Sequence, residues 1–241
     1  SAVLLDCEGK LAAPVLDYEF DGPDQLAADY DAIRPDCSET GSPRLALGLN
    51  VGAQIFWQLK TDPGLSDRIA TVLTYPQYWA FRLSGVATNE VTSLGCHTDL
   101  WNPGKRCFSS LIGRLGLEEK MAPLCKAGDR LGPILPDVAS ATGLSMDTPV
   151  FCGIHDSNAA LYPHLIHRKA PFSVVSTGTW VIALSIGGRP VTLDPARDTL
   201  INVNAFGEPV PSARFMGGRE FDMVLQDHAR TCSQMDVDAV L

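Results

Sequence analysis

The sequence lacks several features that would assign it to large classes of protein. It contains no run of about eighteen apolar residues, so it predicts no membrane span. It also has no basic run and carries a formal net charge of −9. Because nucleic acids and acidic membrane surfaces attract positive charge, we expect neither as a partner.

Paired cysteines of the kind that hold disulfides or zinc are also missing. The seven cysteines are odd in number, widely spaced and without a C-x-x-C motif. Cys96 precedes His97, but no second pair at ligand spacing supports a metal there. We therefore predict no metal site in the chain, and reduced, mostly buried thiols as in a cytoplasmic enzyme.

What the sequence does contain is the composition of an ordinary globular protein. Apolar residues make up 45% and charged residues 20% of it. A chain of 241 residues is long enough for one large domain, or one and a half, with a core of its own.

Asp156 is the residue that suggests a chemistry. It follows the apolar segment that begins at Pro149, and the hydroxyl-rich glycine turn Val175-Ser-Thr-Gly-Thr-Trp180 comes shortly after it. A carboxylate at a strand end can take the proton of an alcohol, while N–H groups and hydroxyls of such a turn can hold phosphate oxygens. A carboxylate base together with a phosphate-binding turn is what phosphoryl transfer to a hydroxyl requires.

Simpler interpretations of both features remain open on residue chemistry alone. Asp156 is also typical of a cap for a helix that begins at Ser157. A Ser-Thr-Gly-Thr stretch between apolar runs is more often a hairpin turn than a phosphate cradle.

Several motifs agree in order and spacing with one known family. The segment Gly153-Ile-His-Asp-Ser-Asn-Ala-Ala160 followed by Ser176-Thr-Gly-Thr-Trp180 resembles the FGGY family of carbohydrate kinases, and the His before the Asp resembles ketose kinases of the rhamnulokinase and fuculokinase kind. Further resemblances cover most of residues 1–220: Tyr75-Pro-Gln-Tyr-Trp-Ala-Phe-Arg-Leu-Ser-Gly85, Thr88-Asn-Glu-Val-Thr-Ser93 and Leu131-Gly-Pro-Ile-Leu-Pro-Asp-Val-Ala139.

The resemblance implies an α/β fold of the ribonuclease H-like type, shared by actin, Hsp70 and hexokinase, with mixed sheets flanked by helices and two domains around a central cleft. We expect residues 1–167 to form the sugar-binding N-terminal domain and residues 168–241 the start of the nucleotide-binding C-terminal domain. Family members are typically longer than this chain. We therefore expect it to lack the first strand and its phosphate loop at one end and the adenosine pocket at the other, and to be inactive by itself.

The local patterns predict the elements that would carry this site. Strands are expected at 2–5, 13–18, 150–154, 172–176, 180–186 and 200–203, and helices at 24–33, 53–60, 77–83, 109–115, 118–124, 137–141 and 157–165. The glycine-rich segment Met216–Glu220 is predicted to be a loop.

The resemblance also implies roles for individual residues. Asp156 would be the general base toward the sugar hydroxyl, with His155 at a neighbouring hydroxyl. The sugar-binding candidates are His155, Gln54, Gln77, Tyr78, Asn89 and Glu90. Three of them have a structural alternative, since His155 could satisfy a strand end, and Gln77 and Tyr78 could be polar groups at a helix start. Val91 stands where relatives often have an aromatic residue, which leaves the exact sugar open.

On the nucleotide side, the predicted contacts to the phosphates of ATP are Ser176, Thr177, Gly178 and Thr179, with Mg²⁺ accompanying the nucleotide. The predicted function is ATP-dependent phosphorylation of a sugar hydroxyl, a hexulose or pentulose. The alternatives are a chaperone or cytoskeletal relative of the same superfold, and a non-catalytic sugar-binding fragment or pseudoenzyme. The sequence leaves the oligomeric state open, a homodimer included.

Overall fold

The computed structural model describes residues 1–178, 180–189, 191–194 and 197–231, without the side chains of residues 229–231. Over these ranges short strands alternate with helices, so the fold is mixed α/β, as predicted. None of the helices in these ranges is long and apolar enough to span a membrane. The described cysteines are all free thiols: Cys7, Cys37, Cys96, Cys107, Cys125 and Cys152.

The first strand pairs with a distant one. Strand β1 (Ala2–Leu5) is buried along its whole length and lies antiparallel to β2 (Thr71–Thr74). The predicted strand at 13–18 is wrong, because the chain returns to β1 only at the single bridge between Leu5 and Leu11. Pro14 in that segment has no N–H to donate to a ladder, and its carbonyl accepts a hydrogen bond from Gln58 at 2.7 Å instead.

The helices of the first half form largely where predicted. A 3-10 turn (Gly22–Leu26) leads into α1 (Ala27–Asp31), and α2 (Cys37–Thr40), α3 (Val51–Thr61), α4 (Leu65–Arg68) and α5 (Tyr75–Ser84) follow. Helix α3 turns Ala53, Ile55 and Phe56 into the main core. Helix α5 ends at Gly85, whose φ of 75° is the left-handed conformation that glycine adopts without strain.

Short elements connect these helices to the site. They are β3 (Asn89–Glu90), α6 (Val91–Leu94), β4 (Trp101–Asn102), β5 (Cys107–Phe108), α7 (Ser110–Arg114), β6 (Leu124–Cys125), β7 (Arg130–Pro133), α8 (Pro136–Thr142) and β8 (Pro149–Phe151). The predicted helix at 118–124 is only a 3-10 turn over Glu118–Lys120, since Pro123 prevents its continuation. The predicted buried strand at 150–154 is shorter and partly exposed, because β8 pairs only with β7.

The second half is built on one antiparallel sheet. Helix α9 (Asp156–His167) precedes β9 (Phe172–Thr177), β10 (Val181–Ile186), β11 (Thr199–Val203) and β12 (Pro209–Phe215), arranged in the order β11-β12-β10-β9. Strand β12 was not predicted. The predicted loop at Met216–Glu220 is also wrong, because α10 (Gly217–Thr231) begins there. Two glycines, Gly217 and Gly218, lie in its first turn, where a residue with low helix propensity disturbs the helix least.

Strand β11 joins the sheet to the first half of the molecule. Val203 is fully buried in the main core, and the Ile201 N–H donates to the Gly41 carbonyl at 2.9 Å. A side chain at Gly41 would collide with Ile201, and one at Gly95 with Val203. These two glycines let the backbones of β11 and the first half approach closely.

Candidate active site

A cleft of about 530 Å³ separates the first half of the chain from the sheet. Residues on its first side come from the segment 93–98 and from the start of α9, and residues on its second side come from the β9–β10 hairpin and from β11 and β12. It therefore contains both of the motifs that suggested phosphoryl transfer.

Asp156 is the first residue of α9 and lines this cleft. The chain reaches it through Gly153, whose φ of 86° turns the backbone away from β8. The carboxylate side chain is 90% exposed. Its Oδ1 accepts a hydrogen bond from the Ser157 N–H at 2.6 Å, so the carboxylate contacts the helix start and still faces the cleft. The cap interpretation is wrong in detail, because the N-cap of α9 is His155 and Asp156 is already its first helical residue.

His155 lies beside Asp156 at the same helix start. Its Nδ1 is 3.2 Å from Asp156 Oδ1 but not in line for a hydrogen bond, and its side chain is 27% exposed. Burial by itself lowers the pKa of His155, but the neighbouring Cys96, Asp156 and Glu90 raise that pKa to about 9. The ring is therefore cationic at neutral pH and can donate to a ligand oxygen.

The backbone of His155 is held by a buried chain of hydrogen bonds. The His155 N–H donates to Thr92 Oγ1 at 3.0 Å, and the Thr92 hydroxyl donates to the Glu90 carboxylate. Glu90 also accepts from the Ser93 N–H at 3.2 Å, which caps α6. Burial raises the pKa of the Glu90 carboxyl, and these hydrogen bonds oppose the rise. Glu90 thus reaches the site through Thr92 and does not line the cleft itself.

Four other predicted sugar ligands belong to the framework around the cleft. Gln54 donates to the Gly48 carbonyl at 2.6 Å and accepts from the Ala2 N–H at 3.3 Å. Gln77 accepts from the Thr74 hydroxyl and donates to the Cys152 carbonyl at 3.2 Å.

Asn89 accepts from the Thr74 N–H and donates to the Val72 carbonyl, both at 2.9 Å. Tyr78 packs in a small buried cluster. Gln54, Gln77, Tyr78 and Asn89 are all missing from the described residues that line the cleft. They support the cleft from behind and are not part of the proposed site.

The predicted phosphate contacts lie at the tip of the β9–β10 hairpin. Thr177 pairs with Val181, so the segment between them is a hairpin turn, as the simpler interpretation held. Ser176, Thr177 and Gly178 nevertheless line the cleft opposite Asp156. Thr179 lies outside the described residues.

Arg214 on β12 also lines the cleft, although the sequence analysis did not identify it. Its side chain is 6% exposed, lies 3.6 Å from Asp198 and has its guanidinium carbon 4.8 Å from the centre of the Trp180 ring. Burial lowers the pKa of Arg214, and Asp198 opposes this. Residues along β12 alternate between buried and exposed, and a charged residue on the buried face could have marked Arg214 as functional. This signal was not used, because β12 itself was not predicted.

Cys96 and His97 complete the first side of the cleft. The two residues are adjacent in the sequence, where they were considered only as metal ligands and no second pair at ligand spacing supported them. His97 has a φ of 44°, and its Nδ1 lies 2.7 Å from the Leu49 carbonyl. No group of three or more His, Cys, Asp or Glu in the described ranges could hold a metal ion.

Comparison with known proteins identifies two matching family models. The model described as the FGGY family of carbohydrate kinases, N-terminal domain, matches residues 43–162. The model described as carbohydrate kinase FGGY, C-terminal domain, matches residues 169–241.

Individual relatives agree with these matches. An L-fuculokinase of Escherichia coli (strain K12) is 27% identical over 190 residues, which are 75% of this chain and 38% of that protein. A xylulose kinase of Bacillus subtilis (strain 168) is 28% identical over 105 residues, which are 43% of this chain and 21% of that protein. The chain thus spans well under half the length of the curated relatives it matches.

Solved structures give the same fold. The crystal structure of a carbohydrate kinase from Novosphingobium aromaticivorans superposes with a TM-score of 0.83 at 46% identity, covering 93% of this chain and 50% of that one. A xylulose kinase from Lactobacillus acidophilus superposes with a TM-score of 0.72 at 15% identity, covering 88% of this chain and 43% of that one, which is a likeness of fold alone.

Proposed function

Because the chain belongs to the FGGY family of carbohydrate kinases, we propose that its protein transfers a phosphoryl group from ATP to a hydroxyl of a sugar, with Asp156 as the general base. One observation carries this proposal. The exposed carboxylate of Asp156 and the hairpin turn at 176–178 line the same cleft. An acceptor alcohol and a nucleotide phosphate can therefore both enter between them.

Asp156 would take the proton of the attacking hydroxyl. Its side chain is largely exposed to the cleft, so an incoming alcohol can reach it without displacing a packed residue. The hydrogen bond from Ser157 fixes one carboxylate oxygen and leaves Oδ2 for the substrate. Positioning of the alcohol in line with the phosphate supplies much of the rate in such reactions.

His155 would bind a second hydroxyl of the same sugar. The Glu90–Thr92 hydrogen-bond chain holds the backbone of His155, which places its imidazolium beside Asp156. We propose a ketose as that substrate, since the relatives include enzymes named for L-fuculose-type and xylulose substrates. The proposed division assigns the sugar to residues 1–167 and the nucleotide to residues 168–241.

The hydroxyls of Ser176 and Thr177 and the backbone at Gly178 and Thr179 would bind the phosphates of ATP. A side chain at Gly178 would meet little but the Trp180 carbonyl at 3.9 Å, so there is open space for a phosphate near the turn. The described residues include no cluster of three or more His, Cys, Asp or Glu side chains that could bind Mg²⁺. Magnesium in kinases is held largely by the phosphates themselves, and we expect it to enter with ATP.

The decisive test is Asp156→Asn in the complete natural protein, assayed with magnesium-ATP and a panel of ketoses that includes xylulose and fuculose. Loss of a general base costs about 10²- to 10⁴-fold, and we expect kcat to fall by that factor while the KM values change little. Asp147→Asn is the matched control, because Asp147 is an exposed carboxylate outside the cleft.

Two outcomes would contradict the proposal. Undiminished phosphorylation by Asp156→Asn would reject the assigned base. If the unaltered protein binds a ketose but phosphorylates no sugar or polyol, the non-catalytic alternative holds.

A further inference from the structure

The first side of the cleft carries a thiol that the proposed phosphoryl transfer does not use. Cys96 is half-buried, lines the cleft and lies in the segment between α6 and β4. Asp99 anchors this segment from behind, because it accepts from the Tyr30 hydroxyl at 2.7 Å and from Arg34 at 3.0 Å. The position of the thiol is therefore held by buried polar contacts.

Cys96 lies in a ring of ionisable groups. His97, His155 and Arg214 line the same cleft, and both imidazoles act electrostatically on the sulfur. The other ionisable side chains in this part of the cleft are His97, His155 and Arg214, with Asp156 and Glu90 on the far side of His155. The thiol therefore lies among basic side chains that line the same cleft.

This ring changes the chemistry of the thiol. Burial raises the pKa of Cys96, but the two imidazoles outweigh it and hold the pKa well below that of an ordinary cysteine. The lowered pKa increases the fraction of the sulfur that is thiolate at a given pH, with His155 as its cationic partner. The thiolate is the nucleophilic form of cysteine.

The cleft around the thiol also contains buried polar atoms that have no hydrogen-bond partner among the described residues. Ser93 is 6% exposed and Arg214 is 8% exposed, and both line the cleft. Ser93 Oγ and Arg214 Nε find no hydrogen-bond partner among the described residues. Buried polar groups are rarely left unpaired, so the space in front of Cys96 is suited to an entering polar molecule.

We propose that Cys96 is a covalent modification site, at which small, soft, polar electrophiles that enter the cleft alkylate the thiol and block the site of the sugar. With iodoacetamide as the probe, the thiolate sulfur forms a bond to the methylene carbon and iodide leaves. The reaction transfers no electrons to an external acceptor and needs no further reactant. The adduct places an amide group in the space next to His155.

The test is the rate of carbamidomethylation at each cysteine of the purified full-length protein, measured by mass spectrometry after quenching. At pH 6.5 an ordinary thiol with a pKa near 8.5 is only about 1% thiolate. We expect Cys96 to react about tenfold faster than N-acetylcysteine at this pH, since its higher thiolate fraction outweighs the lower nucleophilicity of a low-pKa sulfur. The exposed Cys107 reports general access in the same digest.

The pH profile separates a charge effect from mere accessibility. Because the pKa of Cys96 is lowered, its rate should fall less steeply from pH 9 to pH 6.5 than that of N-acetylcysteine, which falls about tenfold per pH unit once below its pKa. His155→Gln and His97→Gln should slow the labelling of Cys96 by a larger factor at pH 6.5 than at pH 9. The value at pH 9 also shows that each variant keeps the cleft accessible.

Cys96 labelling at pH 6.5 that is no faster than that of Cys107 would overturn the proposal. Equal rates in the unaltered protein and in both histidine variants would also overturn it. Neither readout depends on phosphoryl transfer, so this inference and the proposed function can fail separately.

Discussion

The two sides of the cleft differ in how their polar groups are used. Directly behind the first side, Asn89, Glu90 and Thr92 are fully buried, and each is bonded to backbone or to a neighbour. On the second side, Thr177 is exposed, and among the described residues its hydroxyl makes no hydrogen bond. The first side is supported by hydrogen bonds within the protein, whereas the Thr177 hydroxyl of the hairpin is free among the described residues.

This difference suggests what each side contributes to the reaction. A sugar is recognised by the placement of a few hydroxyl partners, which requires side chains held in one geometry. Phosphates are recognised by many equivalent oxygens, and an open turn can adjust to them when the nucleotide binds. The hydrogen-bonding pattern therefore fits a preformed sugar side facing an adaptable phosphate side.

The largest effect on stability is expected from Asn89→Ala, which removes both hydrogen bonds that this buried side-chain amide makes to the backbone. The Thr74 N–H and the Val72 carbonyl would both lose their partner, and each unsatisfied buried group costs about 1–3 kcal/mol. We expect the free energy of unfolding to fall by about 3 kcal/mol. Urea unfolding measures it, with circular dichroism and tryptophan fluorescence compared to test for a single transition.

Gln25→Ala is the control for that substitution, because it truncates an exposed amide in the first 3-10 turn. Its effect should stay within about 0.5 kcal/mol. If Asn89→Ala were equally mild, the first side would not be preformed by these buried bonds.

A smaller effect is expected from Thr92→Val, which keeps the shape of the side chain and removes its hydroxyl. The His155 N–H loses its acceptor and Glu90 loses a donor, so the unfolding free energy should fall by about 2 kcal/mol. Activity should fall as well, through a higher KM for the sugar, since His155 would no longer be held. Thr142→Val is the control, because that hydroxyl bonds only to carbonyls of its own helix.

How far the sequence could predict this site depended on the kind of residue. Asp156 and the 176–178 turn were predicted to lie together, because each has a short motif with a chemical requirement of its own. Gln54, Gln77 and Asn89 were predicted as sugar ligands from the family resemblance and from their polar side chains. A polar residue that bonds to buried backbone has the same signature, and only the coordinates separate the two cases.

The residues that sequence analysis missed share a different property. Arg214 and Cys96 approach each other only because β12 and the segment after α6 meet across the cleft, and they are distant in the chain. A single sequence carries no signal for such a contact. The missed strand and helix at 209–231 have a local cause, since the glycines at 217 and 218 concealed the start of α10.

The smallest effect on stability is expected from Thr177→Val on the hairpin. Its hydroxyl is exposed and contacts no described residue, so the unfolding free energy should change by less than about 0.5 kcal/mol. The KM for ATP should nevertheless rise about tenfold, because a lost hydrogen bond to a charged phosphate is worth about 1.5 kcal/mol. The KM for the sugar, measured in the same assay, should not move. A loss of stability as large as that of Asn89→Ala would show that the hairpin is as preformed as the opposite side. An unchanged KM for ATP would remove Thr177 from the phosphate site, because the open turn would then have no role in binding the nucleotide.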